Sequence, residues 1–231
     1  LTAKALGVEL LVHYGHSCLI PLDQTVGIKV LYVFVDIKID LQHFIQTIEM
    51  NIAKTKRLGL VSTIQFVATL QGVSAKLKEM GYDVSVPQCR PLSPGEILGC
   101  TAPSLKCADI VIYLGDGRFH LESVMIANPK LEFYRYDPYD KKFTREYYDY
   151  AEMERIRKQS IEQMRSANKI GLIMGTLGRQ GSSQVVDTLC QRLVAEGKEV
   201  VTILLSEIFP KKLELFDDLD GFVQVACPRL S

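Results

Sequence analysis

The chain has 231 residues, of which 47% are hydrophobic and 23% are charged, a composition typical of a globular protein. Its formal net charge is +0, so no overall basic field would draw it onto nucleic acid. Its apolar runs are far shorter than the ~20 residues that cross a bilayer, and no cationic segment followed by an apolar one opens the sequence. We therefore expect no nucleic acid partner, no membrane partner and no secretory signal.

Short runs of apolar and β-branched residues alternate with longer segments of helical periodicity. Four amphipathic helices are predicted, at 40–53 (with Asp40 as its cap), 67–80, 149–167 and 182–197. The apolar runs predict seven buried strands, at 8–15, 30–36, 58–66, 109–117, 169–178, 200–207 and 221–227. This alternation is typical of an α/β protein in which helices cover parallel sheets.

The order of these elements predicts three successive α/β domains. We place them at 1–52, 53–148 and 149–231, with the first and the last incomplete in this chain. The proline-rich segment 86–100 is predicted to be a loop. The aromatic and charged segment 134–150 is predicted to separate the central sheet from the last one.

Six cysteines without a CxxC pair are spread along the chain: Cys18, Cys89, Cys100, Cys107, Cys190 and Cys227. Three disulfides would suit a secreted protein, but a chain with this many core residues does not need them. The sequence therefore favours a reduced, cytoplasmic protein. Cys190 lies on the apolar stripe of the predicted helix 182–197, which indicates a core residue.

Unusual residues stand where the predicted strands end, which is where parallel sheets carry their functional groups. Ser62 and Gln65 close the third strand, and the motif GDGRFH (115–120) follows the fourth. GTLGRQGS (175–182) is a glycine-rich turn before a helix. Such a turn gathers free backbone N–H groups for an anion, although a simple tight turn fits equally. It is not a Walker loop, because the required lysine is missing.

Two cysteines occupy loops of this kind. Cys100 follows Gly99, and Cys227 ends the last strand directly before Pro228, which stops the strand at the rim of the sheet. Each thiol suits a ligand role, and each is also interpretable as a small buried residue. Cys89, in the proline-rich loop, is a rival to Cys100. The residues alone leave these alternatives open.

Several long motifs occur together and in order. They are LVHYGHSCLIP, YVFVDI, STIQF, PLSPGEILGCT, YLGDGRFHLESVMIANP, YRYDPY, GTLGRQGS, LLSEIFP and VQVACPRLS. Through nearly its whole length the chain resembles the first subunits of the eukaryotic 2-(3-amino-3-carboxypropyl)histidine synthases. These are diphthamide biosynthesis proteins of a non-classical radical S-adenosylmethionine family.

This resemblance implies three homologous parallel-sheet α/β domains, arranged as a triangle around a 4Fe–4S cluster that binds one cysteine from each. Cys100 matches the ligand of the second domain and Cys227 that of the third. The first ligand is expected in a segment before Leu1, so we expect this chain to be a fragment. Three thiolates leave one iron of the cluster open for S-adenosylmethionine.

The resemblance also implies the reaction. An electron from the cluster breaks the bond between the sulfonium and the methionine side chain, and the 3-amino-3-carboxypropyl radical adds to a histidine of translation elongation factor 2. No catalytic residue is expected beyond the cluster ligands. Hypothetical contacts to S-adenosylmethionine at the strand ends are Ser62, Gln65, Gly175, Thr176, Gly178, Arg179, Gln180, Gly181 and Arg229.

The partners implied are a homologous second subunit in a heterodimer, elongation factor 2 as protein substrate, and an electron-donor iron protein. Two other functions are weighed against this one. The chain would be a catalytically idle scaffold of the same heterodimer if it held no cluster. It would be a nucleotide-binding protein without iron if GTLGRQGS held a phosphate.

Overall fold

The computed structural model describes residue 3 and residues 6–15, 27–90, 92–99, 101–176 and 181–226. Contacts divide the chain into two compact units. The first contains the described residues up to Tyr148, and the second contains those from Asp149 onward.

The first unit begins with a small parallel sheet of two strands, β1 (Leu10–Gly15) and β2 (Lys29–Phe34). The sequence predicts both as buried strands, but their side chains are exposed or half-buried, and Tyr14 and Phe34 are among the exposed ones. Two strands are too few to bury both faces of a parallel sheet, which is normally packed between helices. Apolar composition therefore overstates burial in this segment.

Helix α1 (Leu41–Asn51) begins at the predicted position. The carboxylate of Asp40 accepts a hydrogen bond from the backbone N–H of His43 at 3.0 Å and so caps the helix. Phe44, Ile45 and Ile48 form its buried face. That face belongs to the same hydrophobic core as the central sheet that follows it in the chain.

The central sheet of the first unit has five strands in the order β4-β3-β5-β6-β7. Its pairings are parallel except for the antiparallel β6–β7 hairpin. The elements are β3 (Arg57–Ser62), a 3-10 turn (Ile64–Phe66), α2 (Val67–Glu79), β4 (Asp83–Ser85), β5 (Ile110–Leu114), α3 (Phe119–Ala127), β6 (Glu132–Asp137) and β7 (Lys142–Glu146).

The core of this unit lies between the sheet and the helices α1 and α2. Leu58 and Leu60 of β3 and Ile112 of β5 pack there with Leu70 and Leu77 of α2, all fully buried. Central strands of this kind are apolar at successive positions rather than at alternate ones, because helices or loops cover both faces. This is why the periodicity of the sequence located β3 and β5 correctly.

The second unit contains a fully parallel sheet of three strands in the order β10-β8-β9. Its elements are α4 (Tyr150–Arg165), β8 (Lys169–Gly175), α5 (Ser183–Ala195), β9 (Glu199–Leu205), α6 (Pro210–Leu213) and β10 (Gly221–Val225). The predicted apolar stripe of α4 buries none of its residues, and Ile156 and Ile161 are exposed.

The predicted α/β class with mainly parallel sheets is confirmed, although β3, β5 and β8 end three or four residues earlier than predicted. They stop at Ser62, Leu114 and Gly175, where loops begin. The segment 134–150 is not only a separator, because most of it forms β6 and β7 of the central sheet. The division at 1–52, 53–148 and 149–231 stays a prediction. No helix in the described ranges has the length and apolarity needed to cross a membrane.

Candidate functional site

The carboxyl end of β3 leads directly into a buried polar segment. Ser62 is the last residue of the strand, and Thr63 follows it; they are 0% and 4% exposed. The Thr63 carbonyl accepts a hydrogen bond from the Phe66 N–H at 3.1 Å, which closes the 3-10 turn. The turn keeps Gln65 next to the strand end, so both predicted contact residues of this loop, Ser62 and Gln65, lie in one short stretch.

The loop that leads to Cys100 runs alongside this strand end. The Ser62 N–H donates to the Gly95 carbonyl at 2.8 Å, and the Ile97 N–H donates to the Ser62 carbonyl at 3.0 Å. These two bonds make Ser62 and Glu96 partners in a parallel β-bridge. The loop is thus fixed to the end of the central strand, and Ile97 within it is fully buried.

Four buried side-chain atoms in these two stretches have no hydrogen-bond partner in the described part of the protein. They are Ser62 Oγ, Thr63 Oγ1, Gln65 Oε1 and Glu96 Oε1. Glu96 is only 3% exposed, and its other carboxylate oxygen accepts from the Ser93 N–H at 2.9 Å. Unpaired polar atoms at such depth are uncommon in folded proteins, which makes this edge of the sheet a candidate site for a polar ligand.

Cys100 itself lies outside the described residues, but its neighbours in sequence are well held. Leu98 and Thr101 exchange two backbone hydrogen bonds, at 3.3 and 3.2 Å. The Leu98 carbonyl also accepts from the hydroxyl of Ser123 on α3 at 3.0 Å. The loop on both sides of the proposed ligand is therefore attached to the unit.

The other described thiols are not bonded to one another. Cys89 and Cys190 are half-buried and Cys107 is exposed, and all three are free. Within the described ranges, no group of three or more histidine, cysteine, aspartate or glutamate side chains has the arrangement of a metal site. Cys18 and the proposed ligand Cys227 fall outside those ranges.

Arg118 of the GDGRFH segment binds three acceptors of the same unit. Arg118 donates to Glu146 at 2.8 Å, to Glu122 at 3.2 Å and to the Tyr147 carbonyl at 2.7 Å. Glu146 also accepts from Arg135 at 3.2 Å. The guanidinium of Arg118 is thus bound by acceptors of the chain itself, which indicates a structural role.

In the second unit, the loop after β8 is closed at its base. The carbonyl of Gly175 lies against the Cα of Gly181, leaving no space there for a Cβ. The Thr176 N–H donates to the Leu205 carbonyl of the neighbouring strand at 2.9 Å. Ser182 then caps α5 by accepting from the Val185 N–H at 3.4 Å. The described ends of this segment, Gly175 and Gly181, therefore lie against each other directly before α5.

Three of the proposed contact residues of the second unit are among the described residues. Gly175, Thr176 and Gly181 are described, whereas Gly178, Arg179, Gln180 and Arg229 lie outside the described residues. The last described residue before Cys227 is Ala226, which packs against Gly175 of β8. The ends of two adjacent strands therefore meet just before the predicted third-domain ligand.

Comparison with known proteins identifies the family. All of the chain, residues 1–231, matches the family model of the diphthamide synthesis proteins. The chain belongs to this family. It is 61% identical over 230 residues to subunit 1 of the 2-(3-amino-3-carboxypropyl)histidine synthase of Nematostella vectensis. Against the proteins of the same name from Gallus gallus and Homo sapiens it is 59% and 58% identical. These relatives confirm the resemblance seen in the motifs.

The three alignments cover 100% of the chain but only 49%, 56% and 53% of the relatives. The chain thus spans about half the length of these curated proteins.

Solved structures support the same family. The fold is similar to that of Dph2 from Pyrococcus horikoshii, with a TM-score of 0.75, 26% identity, and coverage of 99% of this chain and 66% of that one. A second structure of that protein, with a 4Fe–4S cluster, gives a TM-score of 0.76 at 26% identity and covers 99% of this chain and 67% of the other.

The sequence reasoning missed Glu96. A glutamate directly before the apolar pair Ile97 and Leu98 was the available signal. A charged residue is rarely buried without a partner. Its burial beside Ser62 was not visible in sequence, because the two residues are 34 positions apart, the difference between 96 and 62.

Proposed function

We propose that this chain is part of a transferase for the first step of diphthamide biosynthesis. It moves the 3-amino-3-carboxypropyl group of S-adenosylmethionine to a histidine of translation elongation factor 2 by a radical mechanism. The observation that carries this proposal is the 61% identity to a synthase subunit 1 along the entire chain. The 4Fe–4S cluster in a Dph2 structure of similar fold supports the iron–sulfur part.

Cys100 and Cys227 are the proposed cluster ligands in this chain. Thiolates are the usual ligands of a 4Fe–4S cluster, so the chemistry of the two residues fits. The relatives are about twice as long, and we assign the third thiolate to sequence outside these 231 residues. When bound, the cluster supplies the electron that cleaves S-adenosylmethionine.

The chain's own residues bind and orient the cosubstrate. The buried edge with Ser62 and Gln65 offers polar side chains that no other described group satisfies. The loop with Gly175, Thr176, Gly178, Arg179, Gln180 and Gly181 offers backbone N–H groups and a cation to an anionic group, such as a carboxylate. Arg229 is proposed to add a second cation near Cys227.

The proposal extends to the partners of the protein. The name "subunit 1" of the relatives supports assembly with a second subunit, which we propose to be homologous to this one. Elongation factor 2 is the protein substrate, an iron protein donates the electron, and the enzyme works in the cytoplasm.

Reconstitution of the full-length protein with its second subunit tests the function. Iron and sulfide are added without oxygen, and iron analysis and electron paramagnetic resonance follow. The second subunit is also reconstituted alone, to measure the iron that it binds by itself. We expect the assemblies with Cys100→Ala or Cys227→Ala to bind no more iron than that. Cys190→Ala is the matched control, because Cys190 is a half-buried thiol on α5, and it keeps the iron.

Full iron in both ligand variants would contradict the assignment. Wild-type protein that takes up no iron but binds the second subunit would be the scaffold. Wild-type protein that binds ATP and no iron would instead be a nucleotide-binding protein.

A further inference from the structure

The unpaired polar atoms beside β3 define the chemistry of a ligand. Glu96 Oε1 and Gln65 Oε1 accept hydrogen bonds and cannot donate them, whereas the hydroxyl of Ser62 can do either. Thr63 does not belong to this set, because successive residues of an extended strand face opposite sides and its hydroxyl interacts with Tyr113. A ligand that satisfies this set must bring several N–H or O–H donors. A carboxylate or phosphate would be repelled by Glu96.

The position of Glu96 adds a requirement for charge. Glu96 is 3% exposed, and only one of its carboxylate oxygens has a partner in the described chain, the Ser93 N–H. One backbone N–H does not compensate a buried negative charge, whose desolvation is costly without a cation. A positively charged donor is the kind of ligand that would compensate this carboxylate.

The backbone brings this carboxylate to the strand end. Ser62 and Glu96 are partners in a parallel bridge, so their side chains project from the same face. The hydrogen bonds of Ser62 with Gly95 and Ile97 fix that arrangement. The two side chains thus leave the backbone on one face before any ligand binds, which lowers the entropy cost of binding.

We infer that the polar group formed by Ser62, Gln65 and Glu96, with Glu96 as its charged acceptor, binds the α-ammonium group of S-adenosylmethionine. This inference rests on the proposed function. An ammonium group carries one positive charge and three N–H donors, which suit Glu96, Gln65 and one hydroxyl. The ribose diol of the same molecule brings donors but no charge, so it does not compensate the carboxylate. This polar group thereby positions the amino acid end of S-adenosylmethionine, which is the part that is transferred.

Two ligands separate the ammonium group from the rest of the molecule. S-adenosylhomocysteine contains the amino acid end, and 5′-methylthioadenosine contains the same nucleoside without it. Isothermal titration calorimetry is done on the full-length protein assembled with its second subunit and cluster. We expect Glu96→Gln to weaken binding of S-adenosylhomocysteine at least about tenfold, which corresponds to about 1.4 kcal/mol. Binding of 5′-methylthioadenosine stays unchanged.

Glutamine keeps the shape of the side chain and an acceptor for the Ser93 N–H, so the loop is retained. The melting temperature of the ligand-free variant does not fall, because the substitution removes a buried charge that the fold alone leaves uncompensated. Asp109→Asn is the control. It removes a carboxylate at the opposite edge of the same sheet, lowers stability, and leaves the affinity for S-adenosylhomocysteine unchanged.

Three outcomes count against parts of this scheme in different ways. Unchanged affinity of Glu96→Gln for S-adenosylhomocysteine, with or without a loss of stability, would overturn the inference. An equal loss of affinity for both ligands would also overturn the inference, because Glu96 would then act on the nucleoside. Wild-type protein that binds neither ligand would contradict the proposed function itself.

Discussion

Asp109 binds Arg57 through both of its carboxylate oxygens. Arg57 Nη2 donates to Oδ1 at 2.7 Å and Nε donates to Oδ2 at 3.1 Å, and the backbone N–H of Arg57 donates to Oδ2 at 3.0 Å. Arg57 begins β3 and Asp109 directly precedes β5. The pair therefore joins the amino ends of two central strands, at the edge opposite to the candidate site. The side-chain hydrogen bonds from Arg57 hold the pKa of Asp109 well below its ordinary value of 3.8.

Replacing this carboxylate predicts a pH-dependent loss of stability. A carboxyl group whose pKa is lowered by folding stabilises the protein above its unfolded pKa, and this contribution is lost as the pH falls through the folded pKa. We expect Asp109→Asn to melt at a lower temperature than the wild type at neutral pH. The difference in melting temperature between the two proteins should become smaller as the pH falls below about 4. Thermal melts by circular dichroism across this range measure it, and a constant difference would refute the role of the charge.

The contact between α1 and β6 gives a second prediction. The rings of Phe44 and Tyr136 stack with centroids 4.3 Å apart, and the Tyr136 hydroxyl lies 2.8 Å from His43 Nδ1. Tyr136→Phe removes only the hydroxyl and should cost about 1 kcal/mol of unfolding free energy. Phe44→Ala removes a fully buried ring and should cost about 3–5 kcal/mol. Urea denaturation compares the two, and equal losses would show that packing is not the main term.

Gly175 gives a prediction about binding of the 4Fe–4S cluster. A Cβ at Gly175 would lie 2.8 Å from the Cβ and 3.3 Å from the Cα of Ala226, which is too close for either atom. Gly175→Ala must therefore displace the residue that directly precedes Cys227. We expect a stability loss of about 1–3 kcal/mol from overpacking, and less iron after reconstitution.

Gly171 is the matched control in the same strand. A Cβ there would lie 2.6 Å from the Phe222 ring, so Gly171→Ala strains the same pair of strands further from Cys227. It should lose comparable stability and keep its iron. Equal iron loss in both variants would show that general destabilisation, and not the position of Cys227, is responsible.

Local chemistry made much of the fold predictable. The carboxylate of Asp40 caps α1 as predicted, and β3, β5 and β8 lie where continuous apolar runs indicate strands. β6 and β7 were not predicted, because their tyrosines, charges and proline resemble a linker. They are strands because Phe133 and Tyr136 are buried, one on each face of β6, while Arg135 and Glu146 pair across the hairpin.

The candidate site was also predictable from the sequence only in part. The sequence by itself determined the family, through long motifs in a constant order, and singled out Ser62, Gln65 and the GTLGRQGS turn from their positions after strands. Only the tertiary structure decided that Arg118 is bound to Glu146 and that Glu96 is buried beside Ser62 without a charged partner. The physical reason is that strand and cap signals act over a few residues. The environment of a carboxylate depends on which distant segment the backbone hydrogen bonds bring next to it.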